Sequence, residues 1–203
     1  MRKIHYFILT LFLCGQLQGQ TLSSKSNTEG LTEFKNFIDT IGLVFDIPKD
    51  YQATAVIDNP DLWYGFAIIN KDSSMQIRYT VWALKPRLIE YEESLKHSNV
   101  IMINPNKLYN GIIQANILNM TGGKMYNIGA FPQNAVKQEF NADDGGSCFF
   151  EFNCKFGKGY KYGHFVYLHK DNIADVIITY MDNDKIKHKE LMELPFHALR
   201  FKK

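Results

Sequence analysis

The clearest hydrophobic pattern in the chain lies between residues 62 and 84. Residues 62–70 (LWYGFAIIN) are apolar at both parities, residues 75–84 (MQIRYTVWAL) alternate, and Lys71, Asp72, Ser73 and Ser74 separate them. This predicts a hairpin with a polar turn. Met75, Ile77, Tyr79, Val81 and Ala83 share one face of its second strand, and Gln76, Arg78 and Thr80 the other. A first strand apolar on both sides is expected to be covered on both sides, which favours a layered sheet over a half-wet one. Strand patterning returns at 147–156, 160–169 and 173–181, joined by Gly157-Lys158-Gly159 and Lys170-Asp171-Asn172.

Helical spacing fills the rest. Leu31, Phe34, Phe37, Ile38 and Ile41 recur with helical period up to Gly42, and short strands follow at 43–47 and 52–57. Pro86 opens a predicted helix to about Lys96. Asn104-Pro105 supplies an N-cap and first-turn proline for a second helix, which Gly122-Gly123 ends. A shorter helix is expected from Pro132 to about Phe140, and a closing one over 184–194, where Pro195 bends or restarts it. Residues 21–30 are small and polar and read as a disordered leader. With no repeat, low-complexity tract or linker beyond that point, residues 31–203 are expected to form a single α+β domain.

The N-terminus carries an address. Arg2 and Lys3 precede an apolar run of about ten residues from Ile4 to Leu13, and Gly15 and Gly19 follow. Residues 1–20 therefore read as a secretory signal, cleaved after Gly19 or after Gln20. The run is shorter than the ~20 residues of a membrane-crossing helix, so no transmembrane segment is expected in the mature chain, which would be periplasmic or extracellular. A second reading places a lipid anchor on Cys14, although Leu13 stands where such signals carry a small residue.

Loss of Arg2 and Lys3 with the leader changes the electrostatics, because 23 basic and 21 acidic side chains become 21 of each. The excess of Lys and Arg that displaces phosphate counterions is missing, and nucleic acid is not an expected partner. Lys185-Ile186-Lys187-His188-Lys189 reads as a solvated helix face. Cys148 and Cys154 remain after cleavage. On a regular strand they would share a face some 20 Å apart, too far for a disulfide, so they read as two small buried hydrophobes.

The segment Gly42-Leu43-Val44-Phe45-Asp46-Ile47-Pro48-Lys49-Asp50-Tyr51 is a short apolar strand closed by proline, with an aromatic soon after. With the order of elements around it, this resembles the PsbP-like superfamily of exported or peripheral accessory proteins. The resemblance implies an antiparallel sheet flanked by helices, an α/β/α layered sandwich, and a role in assembly or binding rather than catalysis. That superfamily has no shared catalytic residues to carry over.

Motifs for chemistry are incomplete. Gly122-Gly123-Lys124 lacks the hydroxyl residue of a phosphate-cradling loop, and Gly145-Gly146-Ser147-Cys148-Phe149 lacks the closing glycine of a nucleophile elbow. His188 and Glu190 lack the second histidine of a helical zinc motif, and Asp182-Asn183-Asp184 lacks the glycine and distal acid of a calcium loop. Neither cofactor nor metal is expected.

Two segments remain as ligand-binding candidates. Asp143 and Asp144, beside two glycines, could orient a ligand or sit in a solvated turn. Tyr160, Tyr162 and His164 would share a strand face with Val166 and Leu168, lining a pocket or completing a sheet core. His164 and His169 fall on opposite faces, against a shared metal site. The sequence thus predicts an exported, non-catalytic accessory or binding protein taking a protein partner or small apolar ligand. The alternatives are a hydrolase-type enzyme joining His164 to Asp143 or Asp144, and a lipid-anchored envelope component.

Overall fold

A computed structural model describes residues 27–59, 61–97, 101–153 and 155–203. Residues 1–20, read above as a secretory signal, together with Cys14 and Cys154, lie outside these residues. The chain opens with α1 (Asn27–Thr40), β1 (Leu43–Phe45), β2 (Tyr51–Ala53), β3 (Phe66–Asn70) and β4 (Met75–Ala83). The middle comprises α2 (Lys85–Ser94), a 3-10 turn (Pro105–Lys107), α3 (Tyr109–Thr121), β5 (Gly129–Ala130), and α4 (Gln133–Ala135) running into a π-helical turn (Val136–Phe140). Then come β6 (Asp144–Glu151), β7 (Tyr162–Lys170), β8 (Ala174–Asp182), α5 (His188–Glu193) and β9 (Leu199–Phe201).

Seven strands form one sheet in the order β2-β3-β4-β8-β7-β6-β5, and every pairing is antiparallel. β1 and β9 form a separate antiparallel ribbon. The architecture is α+β, as the patterning predicts. β8 is central and all nine of its residues are buried, which accounts for its lack of a polar face.

One face of the sheet carries Ile77, Tyr79, Val166, Leu168, Val176 and Ile178 against α1, the β1–β9 ribbon and α5. Phe34 of α1 stacks on Phe66 at 4.5 Å, and Phe45 meets both rings edge-on at 5.5 Å. The opposite face packs Ala67, Phe150, Phe165 and Ile177 against Ile113, Ile117 and Met120 of α3. The polar alternates of β4 are also buried there. Arg78 lies between the rings of Tyr64 and Phe156, at 4.7 and 4.5 Å, and donates to the Phe156 carbonyl at 2.6 Å and to Gln76 Oε1 at 3.0 Å.

Caps explain several boundaries. Asn104 accepts from the Asn106 amide, and Gly122, at φ +67°, ends α3 in the left-handed conformation that glycine adopts without strain. Other boundaries move. Residues 27–30, read as the end of the leader, form the first turn of α1, where Glu29 suits the positive end of the helix dipole. Asp144, Gly145 and Gly146, read as a turn, begin β6. A Cβ on Gly146 would lie 2.6 Å from the Gly129 carbonyl oxygen, so glycine there permits the close approach of β5. β6 ends at Glu151 rather than 156, and Lys155–Gly157 is a 3-10 turn. Cys148 is a buried free thiol, which burial pushes up to about 11 and so keeps protonated.

Candidate functional site

A cavity of about 600 Å³ opens on the face of the sheet that carries α5. This volume is within the range of small-molecule sites. Ser147 and Phe149 of β6 and His164 of β7 line it from the sheet, with Phe149 directly opposite His164 in the ladder. Lys185, His188, Lys189, Met192 and Glu193 line it from α5 and the turn before it. Phe131, Phe196 and His197 complete the wall. Phe196 is fixed edge-on to Phe131 and Phe140, at 6.1 and 5.5 Å.

Placement of α5 begins at the end of β8. Asp182 is wholly buried, and its Oδ1 accepts from the Asp184 amide at 3.0 Å. Asp184 in turn accepts from the amides of Ile186 and Lys187, satisfying donors that a helix start leaves open. The Asp-Asn-Asp run, which begins like a calcium loop, is thus a strand-to-helix turn. It brings His188 onto Asp182, with Nδ1 bonded to Oδ2. A carboxylate only accepts, so Nδ1 carries the proton.

His188 is 4% exposed, lies edge-on to Phe149 at 5.0 Å and stacks on His164 at 5.4 Å. Its Nε2 is buried without a hydrogen-bond partner. Burial, reinforced by the neighbouring His188, lowers the His164 pKa to about 4, so His164 is neutral at neutral pH. At the rim, Lys185 Nζ stands 5.8 Å from the Phe149 ring, and neither Lys185 nor Lys189 forms an ion pair among the described residues. His197 Nε2 pairs with Glu139 at 2.7 Å.

The residues singled out from sequence are dispersed. His164 lines the cavity. Tyr162 is beside it on the same strand face, stacked on Phe149 at 5.7 Å with Lys161 over its ring at 5.0 Å. Tyr160 does not share that face. It precedes β7 in a turn closed by its amide on the Gly157 carbonyl, its ring packs against the opposite core, and its hydroxyl reaches the Ser73 carbonyl at 3.4 Å.

Asp143 and Asp144 are separated from each other and from His164. Burial alone would raise the Asp143 carboxyl, but Lys137 at 3.1 Å and the Asp171 amide at 3.0 Å outweigh it and hold the pKa low. Asp144 accepts from the hydroxyls of Tyr109 at 2.6 Å and Tyr167 at 3.4 Å on the opposite face. It pairs with His169, five positions along β7 from His164, or some 16 Å at strand spacing. The combination of His164 with either acid is therefore not formed.

His169 anchors a second polar cluster. Its Nδ1 meets Asp175 at 2.6 Å, its Nε2 meets Asp171 at 3.0 Å, and its ring stacks on Tyr109 at 4.0 Å. The hollow beside this cluster is about 10 Å³, room for at most a single water, so the cluster is a structural lock. Among the described residues no group of three or more His, Cys, Asp and Glu side chains is placed to hold a metal ion, and no helix is long and apolar enough to cross a membrane.

The described residues thus define an antiparallel α+β sandwich with a histidine- and phenylalanine-lined cavity on one face. No protein-family model matches the chain, and no curated protein matches it. Among solved structures it is similar to the solution structure of cyanobacterial PsbP (CyanoP) from Synechocystis sp. PCC 6803. The TM-score is 0.45 and the identity 6%, covering 80% of this chain and 88% of that one. The α+β assignment rests on the chain's own sheet and helices.

Proposed function

We propose that this protein is an exported, non-catalytic accessory protein that binds a small, largely apolar ligand in the cavity beside α5, with residues 31–203 acting as one α+β unit. The observation that carries the reading is the cavity itself. About 600 Å³ of space is bounded by Phe131, Phe149, Met192 and Phe196. An apolar concavity of this size is the usual form of a small-molecule site. A ligand there would cover the apolar lining.

Saturable binding of the uncharged probe N-phenyl-1-naphthylamine tests this. We expect one site per chain, lost in Ser147→Phe, which fills the cavity floor, while circular dichroism stays unchanged. Equal binding by both proteins would refute it. Export is supported by the composition of residues 1–20. Mass spectrometry of the native protein should find a chain beginning at Gln20 or Thr21, and acyl chains on Cys14 would favour the lipid-anchored alternative instead.

A catalytic reading survives in altered form, because the Asp182–His188 pair has the arrangement of an oriented general base. Ser147 shares the cavity but makes no side-chain hydrogen bond among the described residues, which favours binding over nucleophilic attack. Hydrolysis of p-nitrophenyl esters by the wild type, abolished in His188→Gln, would overturn the non-catalytic reading.

A further inference from the structure

The charges around the cavity are uneven. Lys185, in the turn before α5, and His188 and Lys189, at its start, all line the cavity. The two lysines are exposed at the rim, whereas His188 is buried below them. Against the lysines stands Glu193 as the single acid in the lining, so the lysine and glutamate side chains there sum to one net positive charge. Lys185 and His188 both border the Phe149 ring. Lys185 Nζ is 5.8 Å from that ring and the His188 ring 5.0 Å.

We infer that the ligand is an amphiphilic monocarboxylate, with its apolar body against Phe149, Met192 and Phe196 and its carboxylate received by Lys185 and Lys189 at the rim. This deepens the proposed function and rests on it. A carboxylate has two acceptor oxygens, so each can take an ammonium N–H from one of the two lysines. A single charge matches the net charge of the rim. A phosphate dianion would bring a second charge towards Glu193, and no arginine fork lines the cavity to receive it.

Displacement of N-phenyl-1-naphthylamine from the full-length protein by paired alkyl acids and alcohols tests the inference. Octanoate, decanoate and dodecanoate should tighten about fourfold per added methylene. Each acid should bind roughly tenfold tighter than the alcohol of equal length. In the double variant Lys185→Met with Lys189→Met, acid affinity should fall roughly tenfold while alcohol affinity is unchanged. Both lysines are exposed, so this variant spares the core.

If acids and alcohols displace the probe equally, or the double variant binds acids as the wild type does, the inference is overturned and the cavity reading stands. Dodecyl phosphate binding more tightly than dodecanoate would likewise overturn the monocarboxylate assignment. Failure of the wild type to bind the probe, acids or alcohols would overturn both.

Discussion

His164 and His169 leave β7 on opposite faces, and their surroundings move their protonation in opposite directions. Burial beside His188 lowers the His164 pKa to about 4, below the ~6.5 of an unfolded chain. The unfolded state then takes up a proton first as pH falls, so stability present above about pH 6.5 is lost between there and pH 4, on the order of 2 kcal/mol. For His169, burial alone would lower the pKa, but Asp175 and Asp171 outweigh it and raise the pKa above its ordinary value. Its contribution is complete below about pH 6.5 and is lost as pH rises through the raised value. Urea titrations should show that His164→Gln flattens the acid side of the profile. His169→Gln should destabilise more at pH 6 than at pH 9. The reverse pattern would contradict these environments.

Of the cavity's polar wall, His164 was legible in the sequence at this scale. His164 and its neighbour Tyr162 stood out because period-two alternation in an aromatic strand assigns faces directly. His188 did not, because its significance comes from Asp182, and their meeting depends on an aspartate-capped turn between strand and helix that has no periodic signature. Asp143 and Asp144 attracted attention as an acidic pair beside glycines. Asp143 precedes β6 and is tied to Lys137 and the Asp171 amide, whereas Asp144 begins the strand and faces Tyr109 and Tyr167.

Elements with many side chains on a buried surface announced themselves, and so did the short β1 and β2, whereas β5 and β9 did not. β4, β7 and β8 are nine residues each and carry strong patterning. β5 and β9 have two and three residues. β9 exists because its Leu199 and Phe201 complete the core beneath β1, a pairing between distant parts of the chain that no local window contains. β5 exists because Gly146 lets it approach. Gly146→Ala would set a methyl group 2.6 Å from the Gly129 carbonyl and 2.8 Å from the Tyr167 ring, and backbone yields less readily than a side-chain tip. We expect a loss of about 1–3 kcal/mol and faster hydrogen exchange at the Phe131 amide, which bonds to Gly145 just beyond the β5 pairing. An unchanged unfolding midpoint would count against the close packing.

On the scale of the whole molecule, the sheet separates two cores of similar burial. Ile177 and Ile178 are consecutive in β8, point to opposite faces and are 1% and 0% exposed. Ile177→Ala and Ile178→Ala should each cost about 2–5 kcal/mol in urea unfolding. A sheet with one wet face would lose little at one of the two. Coverage on both sides also explains why composition alone hid the polar interior, since Arg78 satisfies its guanidinium on carbonyl and amide oxygens between two rings.

The margins of this slab are nearly closed to strangers. β2 offers three residues and β5 two, so an intruding ribbon would find only a few rungs on which to climb. Fibril growth by backbone laddering is correspondingly disfavoured. Any lasting association with another macromolecule would therefore have to grip side chains and loops, so a search for companions belongs on the broad sides of the molecule.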